Sequence, residues 1–122
     1  MDESKPHSVT LADLTRRVLQ HRDERDWKQF HTPKELAVSL CVEAGELLAL
    51  MQWKTGQQLA SALEQRRESV TDELADVLHS LLLLADDLGV DLAEVLEQKL
   101  VKDAKKYPVE KARGKNLKYD EL

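Results

Sequence analysis

A series of apolar stripes at helical spacing, each bounded by residues that start or stop helices, most constrains what this chain can fold into. Leucine and alanine supply most of the apolar positions, glycine and proline are few, and 34% of the residues are charged. This balance favours helices over strands. The stripes predict four helices, and the short connections between them indicate an antiparallel four-helix bundle, an all-α fold.

The first two predicted helices have clear signals at their N-termini. Thr10 can cap the first helix with Asp13 as its reciprocal acid, and the apolar pattern fades near residues 25–26. Thr32 can cap the second helix, because a proline at the first helical position and a capping-box glutamate follow it. We expect this second helix to end around residues 53–54.

The third predicted helix carries an apolar stripe from residue 70 to residue 88. Its start is open, because Ser61, Ser69 and Thr71 are all suitable capping residues. Its end is better defined, since Gly89 follows the last apolar position and glycine is the usual residue beyond a helix C-terminus.

The fourth predicted helix begins at Asp91, which can cap it, and runs to about Tyr107, where Pro108 stops it. The sequence shows no internal repeat and no low-complexity linker. Residues 1–122 are therefore expected to form a single domain, with irregular tails at residues 1–8 and 109–122.

Composition and charge exclude several classes of function. The net charge of −5 gives no overall basic field for a nucleic acid. The single cysteine, Cys41, cannot form an internal disulfide, and the N-terminus has no apolar core of a signal peptide. The longest apolar run, residues 81–85, is too short to cross a bilayer. We expect a cytoplasmic protein with no nucleic-acid or membrane partner.

Two pairs of carboxylates carry the first functional signal. Glu43 and Glu46 lie on one flank of the second apolar stripe, and Glu73 and Asp76 lie on the same flank of the third. Like flanks meet when two helices pack antiparallel, which the short connection between these helices favours. The four carboxylates should therefore converge at one edge of the helix–helix interface.

Four converging carboxylates repel one another strongly unless a cation neutralises them. Hard divalent cations prefer oxygen ligands, and Mg²⁺ commonly bridges carboxylates and substrate phosphates. The absence of histidine from the set argues against zinc. The alternative is that both acidic pairs are only solvated helix faces, since acids at this spacing are common.

Several segments resemble one known family. The motifs EAGE at residues 43–46 and DELAD at residues 72–76 resemble the metal-binding signature of the MazG-like superfamily of all-α nucleoside triphosphate pyrophosphohydrolases. The segments ERDWKQFH at 24–31, MQWK at 51–54 and KKYP at 105–108 are similar to its dCTP pyrophosphatase branch. The resemblance covers roughly residues 10 to 120.

This resemblance implies a reaction and a cofactor. Enzymes of this type bind Mg²⁺, with Mn²⁺ as a substitute, through the four acids and release a nucleoside monophosphate and pyrophosphate. It implies dCTP or a modified dCTP as the nucleoside triphosphate substrate, with dUTP or an oxidised nucleotide as the alternative. A non-catalytic helical interaction module is the more distant alternative. Among the acids, Glu46 is the candidate general base.

The resemblance also implies a homo-oligomer, a dimer or tetramer, with sites built partly from neighbouring subunits. Leu48 and Leu82 lie off the main stripes, which supports an oligomer. Trp27 and Trp53 are candidate stacking partners for the base, against the alternative of interface or core tryptophans. The remaining candidate substrate contacts include a basic stripe in the C-terminal region: Lys54, Lys99, Lys102, Asp103, Lys106 and Tyr107.

Two positions depart from the pattern of the animal dCTP enzymes. Ser80 stands where those enzymes carry tyrosine, and Asp103 where they carry asparagine, so strict dCTP preference does not follow. The histidines are isolated in sequence, and none is assigned a catalytic role. His21 lies along the stripe of the first helix and can face the site, whereas His79 is expected on the exposed side of the third helix.

Overall fold

The computed structural model describes residues 8–122, in which all regular structure is helical. The chain divides into two compact units, the first ending at Gly89 and the second spanning Val90–Leu122. Single turns of 3₁₀ helix occur at Lys28–Phe30 and Tyr119–Glu121. The α-helices are α1 (Leu11–Glu24), α2 (Pro33–Ala49), α3 (Gly56–Gln65), α4 (Arg67–Asp87), α5 (Leu92–Lys106) and α6 (Val109–Ala112).

Side-chain caps form at three of the four helix starts that the sequence indicated. The exception is α4, which begins at Arg67 without a side-chain cap, so none of the candidates Ser61, Ser69 and Thr71 starts it. The Thr10 hydroxyl accepts a hydrogen bond from the Asp13 backbone N–H at 3.0 Å, and the Asp13 carboxylate accepts one from the Thr10 N–H at 3.0 Å. Thr32 caps α2 by accepting from Glu35 N–H at 3.2 Å, and Asp91 caps α5 in the same way. These bonds satisfy amide groups that have no partner within their helices.

The connection between α2 and α4 differs from the prediction. The regular part of α2 ends at Ala49, and the chain continues through tighter three-residue turns until Trp53 adopts a positive φ of 66°. A further helix, α3, then precedes α4, so the structure has one more long helix than the four stripes predicted. The C-terminal tail is not wholly irregular, because it contains α6 and a 3₁₀ turn. Residues 1–7 of the N-terminal tail lie outside the described residues.

Helix α4 is the centre of the first unit, since α1, α2 and α3 all pack against it and α2 does so most extensively. The buried apolar residues come mainly from α4, namely Leu82, Leu83 and Ala85, with Leu36 from α2 and Ala62 from α3. Leu82 is therefore a core residue of the chain, and the expectation that it adds to an oligomer surface is wrong.

Many large apolar side chains remain exposed in both units. On α2, Val42 is 51% exposed and Leu48 is 67% exposed, and Leu74 on α4 is 52% exposed. In the second unit, Leu96 and Leu100 of α5 are each 58% exposed. No helix within residues 8–122 combines the length and the apolar character that a membrane-spanning segment needs.

Candidate active site

Three of the four predicted acids come together between α2 and α4. Glu43 on α2 and Glu73 and Asp76 on α4 each offer one carboxylate oxygen, and these oxygens lie within 4.8 Å of one another. The spacing of three residues between Glu73 and Asp76 puts both side chains on one face of α4. An all-oxygen set of this kind suits a hard divalent cation.

The two helices run antiparallel at this point. The cavity beside the carboxylates extends from Glu43 toward the N-terminal end of α2, at Ser39 and Leu36, and toward the C-terminal end of α4, at Leu83. Because increasing residue numbers on α4 accompany decreasing numbers on α2, the like-sided acidic flanks of the two helices meet. This is the arrangement from which the sequence predicted convergence.

The cluster lacks partners of its own among the described residues. One carboxylate oxygen of Glu43 and one of Glu73 are shielded from solvent and accept no hydrogen bond from residues 8–122. A buried polar oxygen without a partner is costly, by roughly 1–3 kcal/mol or more for a charged group. A cation or a proton placed between these carboxylates removes that cost, so the residues fit a metal ion.

The raised pKa of Glu43 also reflects the crowding of carboxylates in this cluster. The Glu73 carboxylate, which is close enough to hydrogen-bond with Glu43 when a proton is present, raises the pKa of Glu43 to about 7 together with burial and the neighbouring Glu46, and Asp76 adds to the effect. A proton shared between Glu43 and Glu73 therefore substitutes for the missing positive charge at low pH.

Glu46 occupies a different position from the other three acids. Its carboxylate lies beside Glu43, close enough to form a hydrogen bond with it when a proton is present. It is exposed, and it is not among the three residues whose oxygens lie within 4.8 Å of one another. The structure thus places Glu46 at the rim of the cluster, where its carboxylate faces solvent.

A cavity of about 230 Å³ adjoins the carboxylates. Trp27, from the connection between α1 and α2, forms one wall and is 42% exposed. The lining residues contain the acids Glu43 and Asp76 but no lysine or arginine. The others are His31, Leu36, Ser39, His79, Ser80 and Leu83.

The Trp27 wall is held by aromatic and cationic contacts. The His21 ring of α1 lies edge-on to the Trp27 ring, with 5.7 Å between centroids and 73° between planes. The same His21 ring lies edge-on to His79 of α4, with 5.8 Å between centroids and 80° between planes. The Arg25 guanidinium lies 5.8 Å from the Trp27 ring centroid. Trp27 is therefore tied to α4 through His21.

The sequence did not identify two residues of this cavity as functional. His79, expected on an exposed face, is half-buried because α1 covers that face of α4, and burial and the nearby His21 lower its pKa. Ser80, noted only as a departure from the animal enzymes, is 9% exposed at the cavity surface. The available signal was the position of His21 on the α1 stripe, which faces α4.

The other predicted base contact lies in a separate concavity. Trp53 is 91% exposed, and together with Lys54 it lines a concave surface of about 590 Å³ formed with α3 residues such as Gln58 and Ser61. Trp27 is not part of that surface. Within the first unit, the structure therefore does not bring Trp27 and Trp53 into one pocket.

The remaining predicted contacts belong to the second unit. Lys99 forms an ion pair with Asp103, one helical turn away on α5. The Lys106 ammonium lies 4.8 Å from the centroid of the Tyr119 ring, and Tyr107 packs edge-on against the same ring at 6.2 Å. Lys102 is exposed. Several of these side chains thus have partners inside their own unit.

Comparisons with known proteins identify the family of this chain. The sequence pattern of the MazG-like family matches residues 38–122, which include both acidic pairs. Rat dCTP pyrophosphatase 1 is 38% identical over 115 residues, covering 93% of this chain and 68% of the rat protein. Human dCTP pyrophosphatase 1 is 41% identical over 117 residues with the same coverage.

A solved structure shares the fold. A pyrophosphatase from Archaeoglobus fulgidus superposes with a TM-score of 0.77 at 36% sequence identity, covering 87% of this chain and 99% of that one. The match therefore includes most of the helical framework that carries the acids. On sequence and structure alike, the chain belongs to the MazG-like family and to its dCTP pyrophosphatase-like branch.

Proposed function

We propose that this chain hydrolyses dCTP, or a modified dCTP, to the nucleoside monophosphate and pyrophosphate with Mg²⁺ as its cofactor. The observation that supports this most directly is the meeting of Glu43, Glu73 and Asp76, with two buried oxygens that lack partners. The relatives named dCTP pyrophosphatase 1 support dCTP as the substrate. The pyrophosphatase from Archaeoglobus fulgidus supports the reaction class.

The four acids Glu43, Glu46, Glu73 and Asp76 are proposed to hold the cation, with Mn²⁺ as a substitute for Mg²⁺. A bound divalent cation neutralises phosphate charge and lowers the pKa of a coordinated water. The cavity lining carries two acids and neither lysine nor arginine, so it offers the phosphates no permanent positive charge. The acids of the cluster thus make phosphate binding depend on the cation.

Glu46 is proposed to take a proton from the attacking water. Its carboxylate lies at the exposed rim of the cluster and is less constrained than those of Glu43 and Glu73. A carboxylate at the rim can reach a water molecule on the substrate side. The leaving group is pyrophosphate, so the bond that breaks joins the α-phosphorus to the oxygen that bridges the α- and β-phosphates.

The base and sugar are proposed to enter the cavity against Trp27. Pockets that enclose a whole drug-sized ligand are about 300–1,000 Å³, so a cavity of about 230 Å³ holds only part of a nucleotide. The apolar wall suits the base, while the triphosphate lies over the carboxylates outside. Trp53 and Lys54 are proposed as additional base and phosphate contacts.

The second-unit residues Lys99, Lys102, Asp103, Lys106 and Tyr107 are proposed to contact the substrate as well. A stripe of basic side chains in an acidic protein offers counter-charge for a triphosphate. Binding would exchange the Lys99–Asp103 ion pair for phosphate contacts. We also propose a homo-oligomer, a dimer or tetramer, and a cytoplasmic location, where free nucleotides are available.

The test is a hydrolysis panel. Purified protein is incubated with each common nucleoside triphosphate, with Mg²⁺ and with a chelator, and the products are separated. The proposal expects cation-dependent release of monophosphate and pyrophosphate, fastest with dCTP or a 5-modified dCTP. Preference for dUTP or an oxidised nucleotide would keep the reaction but correct the substrate. No hydrolysis of any nucleotide would favour a non-catalytic module.

A further inference from the structure

Two histidine rings line the cavity, His31 and His79, and metal binding explains the role of neither. His79 is the one that shares a helix with Asp76. His79 lies one turn of α4 beyond Asp76, a rise of about 4.5 Å along the helix axis. A cation held by Glu43, Glu73 and Asp76 would bring the phosphates to the acidic end of the cavity. His79 and Ser80 continue the cavity wall along α4 beyond Asp76, toward Leu83. A nucleotide whose phosphates lie over the acids would bring its sugar and base to this part of the wall.

The surroundings of His79 fix its ring without using its hydrogen-bonding capacity. The ring packs edge-on against His21 at 5.8 Å, and none of the side-chain hydrogen bonds within residues 8–122 involves it. The buried nitrogen without a partner in this cavity belongs to the other ring, at His31 Nδ1. An imidazole has two nitrogens, of which a neutral ring uses one as donor and one as acceptor. In this cavity those nitrogens are available to a ligand.

The same His21 ring contacts Trp27, which is proposed above as the wall for the base. One side chain of α1 therefore orients both a stacking surface and a hydrogen-bonding group from two other parts of the chain. Because His21 is not among the residues that line the cavity, its contribution is made through Trp27 and His79.

We propose that His79 is a specificity-determining residue that hydrogen-bonds to the polar edge of the nucleobase, and that His21 is the positioning residue that holds His79 and Trp27 in place. This inference rests on the proposed nucleotide hydrolysis. It adds a residue that discriminates bases by their exocyclic groups, since cytosine presents an amino group where uracil and thymine present a carbonyl oxygen. A site built to pair with one pattern rejects the other because a buried group is left unpaired.

The first experiment compares His79→Phe and His79→Gln with the parent. Phenylalanine keeps the aromatic contact with His21 but removes both nitrogens, whereas glutamine keeps a polar side chain. The kcat and KM values are measured for dCTP, dUTP and dTTP. For His79→Phe we expect the KM for the preferred nucleotide to rise roughly three- to tenfold, with kcat nearly unchanged. The preference between dCTP and dUTP should shrink by a similar factor, and His79→Gln should recover part of it.

The second experiment tests the positioning role. His21→Ala should raise KM and lower the discrimination in the same direction as His79→Phe, whereas His21→Phe should restore both because it keeps an aromatic edge. Asp86→Asn, an exposed change near the end of α4, is the matched control and should match the parent. A merely structural role for His21 would lower the unfolding midpoint without changing the ratio between nucleotides.

The outcomes separate this inference from the proposed function. If the parent hydrolyses no nucleotide, the proposed function fails. If the parent is active and a folded His79→Phe protein keeps its KM and its base preference, the inference alone is overturned. Circular dichroism establishes whether each variant is folded. If the phenylalanine variant does not fold, the same measurements are made on His79→Leu. A fall in kcat with unchanged KM and preference would also contradict a base-reading role.

Discussion

Glu43 of α2 and Glu73 of α4 each turn one carboxylate oxygen into the helix–helix interface, where neither oxygen has a hydrogen-bond partner among residues 8–122. Two acids in contact with no compensating cation oppose the packing of the helices that carry them. The arrangement is favourable when a proton or a divalent cation lies between them. Repulsion within this pair therefore lowers the stability of the metal-free protein. The same repulsion favours the binding of a cation at this site.

The first prediction concerns the replacement of Glu73 by glutamine. Glu73→Gln keeps the shape of the side chain but removes a ligand charge and relieves repulsion with Glu43. We expect activity to fall at least about a hundredfold, while the metal-free variant unfolds at the same temperature as the parent or higher. Cation-dependent thermal unfolding and initial rates measure the two effects.

Asp72→Asn is the matched control for that change, because Asp72 is an exposed neighbour on α4 that does not belong to the three-carboxylate group. It should leave both activity and stability close to those of the parent. A Glu73→Gln protein that is much less stable than the parent without metal would identify Glu73 as a structural partner instead.

The second prediction is a pH dependence of the metal-free protein. The pKa of Glu43 is raised from 4.5 to about 7 by Glu73, burial and Glu46. Between these values the folded chain holds a proton that the unfolded chain has lost. The contribution of Glu43 to the free energy of unfolding is therefore fully present below about pH 4.5 and is lost as pH rises through about 7.

Urea unfolding in a chelator, measured at intervals from pH 4.5 to 8, checks this slope. Glu43→Gln should remove much of the decline, since glutamine does not titrate. Saturating Mg²⁺ should stabilise the parent most at the upper end of the range, where the carboxylates are ionised. Identical pH profiles for parent and Glu43→Gln would contradict the prediction.

The third prediction concerns the exposed tryptophan. Because the Trp53 side chain is 91% exposed, its removal should not disturb the packing of the chain. We expect Trp53→Ala to weaken nucleotide binding by roughly five- to a hundredfold, as stacking on a base is typically worth about 1–3 kcal/mol. Calorimetry with a non-hydrolysable dCTP analogue, and with Mg²⁺ alone, measures both affinities. Unchanged nucleotide affinity in the folded variant would show that Trp53 does not contact the nucleotide.

The fourth prediction concerns assembly. Val42 and Leu48 of α2 and Leu74 of α4 are each at least half exposed, which is unusual for large apolar side chains that stay in water. We expect a homo-oligomer at micromolar concentration by light scattering. Leu48→Glu should shift the population toward smaller species, whereas Gln57→Glu, an exposed polar position, should not. A monomeric parent would contradict this prediction.

The helix starts and the acidic cluster were predictable because they depend on local rules. A capping residue satisfies amides within one turn, as Thr10 does with Asp13, and this can be read without knowing the fold. Likewise, the flank on which Glu43 or Glu73 lies follows from helical spacing, and a short connection is enough to predict that the flanks meet. Predicting the caps required only one helix at a time, and predicting the acidic cluster required only the packing of one pair of helices.

The features that were not predicted depend on a third neighbour. His79 lies on a polar side of α4. If only the packing of α2 against α4 is considered, that side faces solvent, but in the structure α1 covers it through His21. Leu82 was assigned to an outer surface for the same reason, although α4 is packed on several sides and leaves it 2% exposed. The separate helix α3 is a different case, because only Arg66 lies between it and α4 and no capping residue marks the break between the two helices.

The most direct test of the proposed reaction is to identify which phosphorus–oxygen bond of the triphosphate is hydrolysed. Hydrolysis in ¹⁸O-labelled water, followed by ³¹P NMR of the products, identifies the phosphorus that water attacks. We expect equal amounts of monophosphate and pyrophosphate, with the label in the monophosphate, because a cation held by the acids would bring the α-phosphate within reach of a water molecule that Glu46 activates. Orthophosphate and a nucleoside diphosphate as the primary products would contradict it, even if Glu43, Glu73 and Asp76 all proved essential.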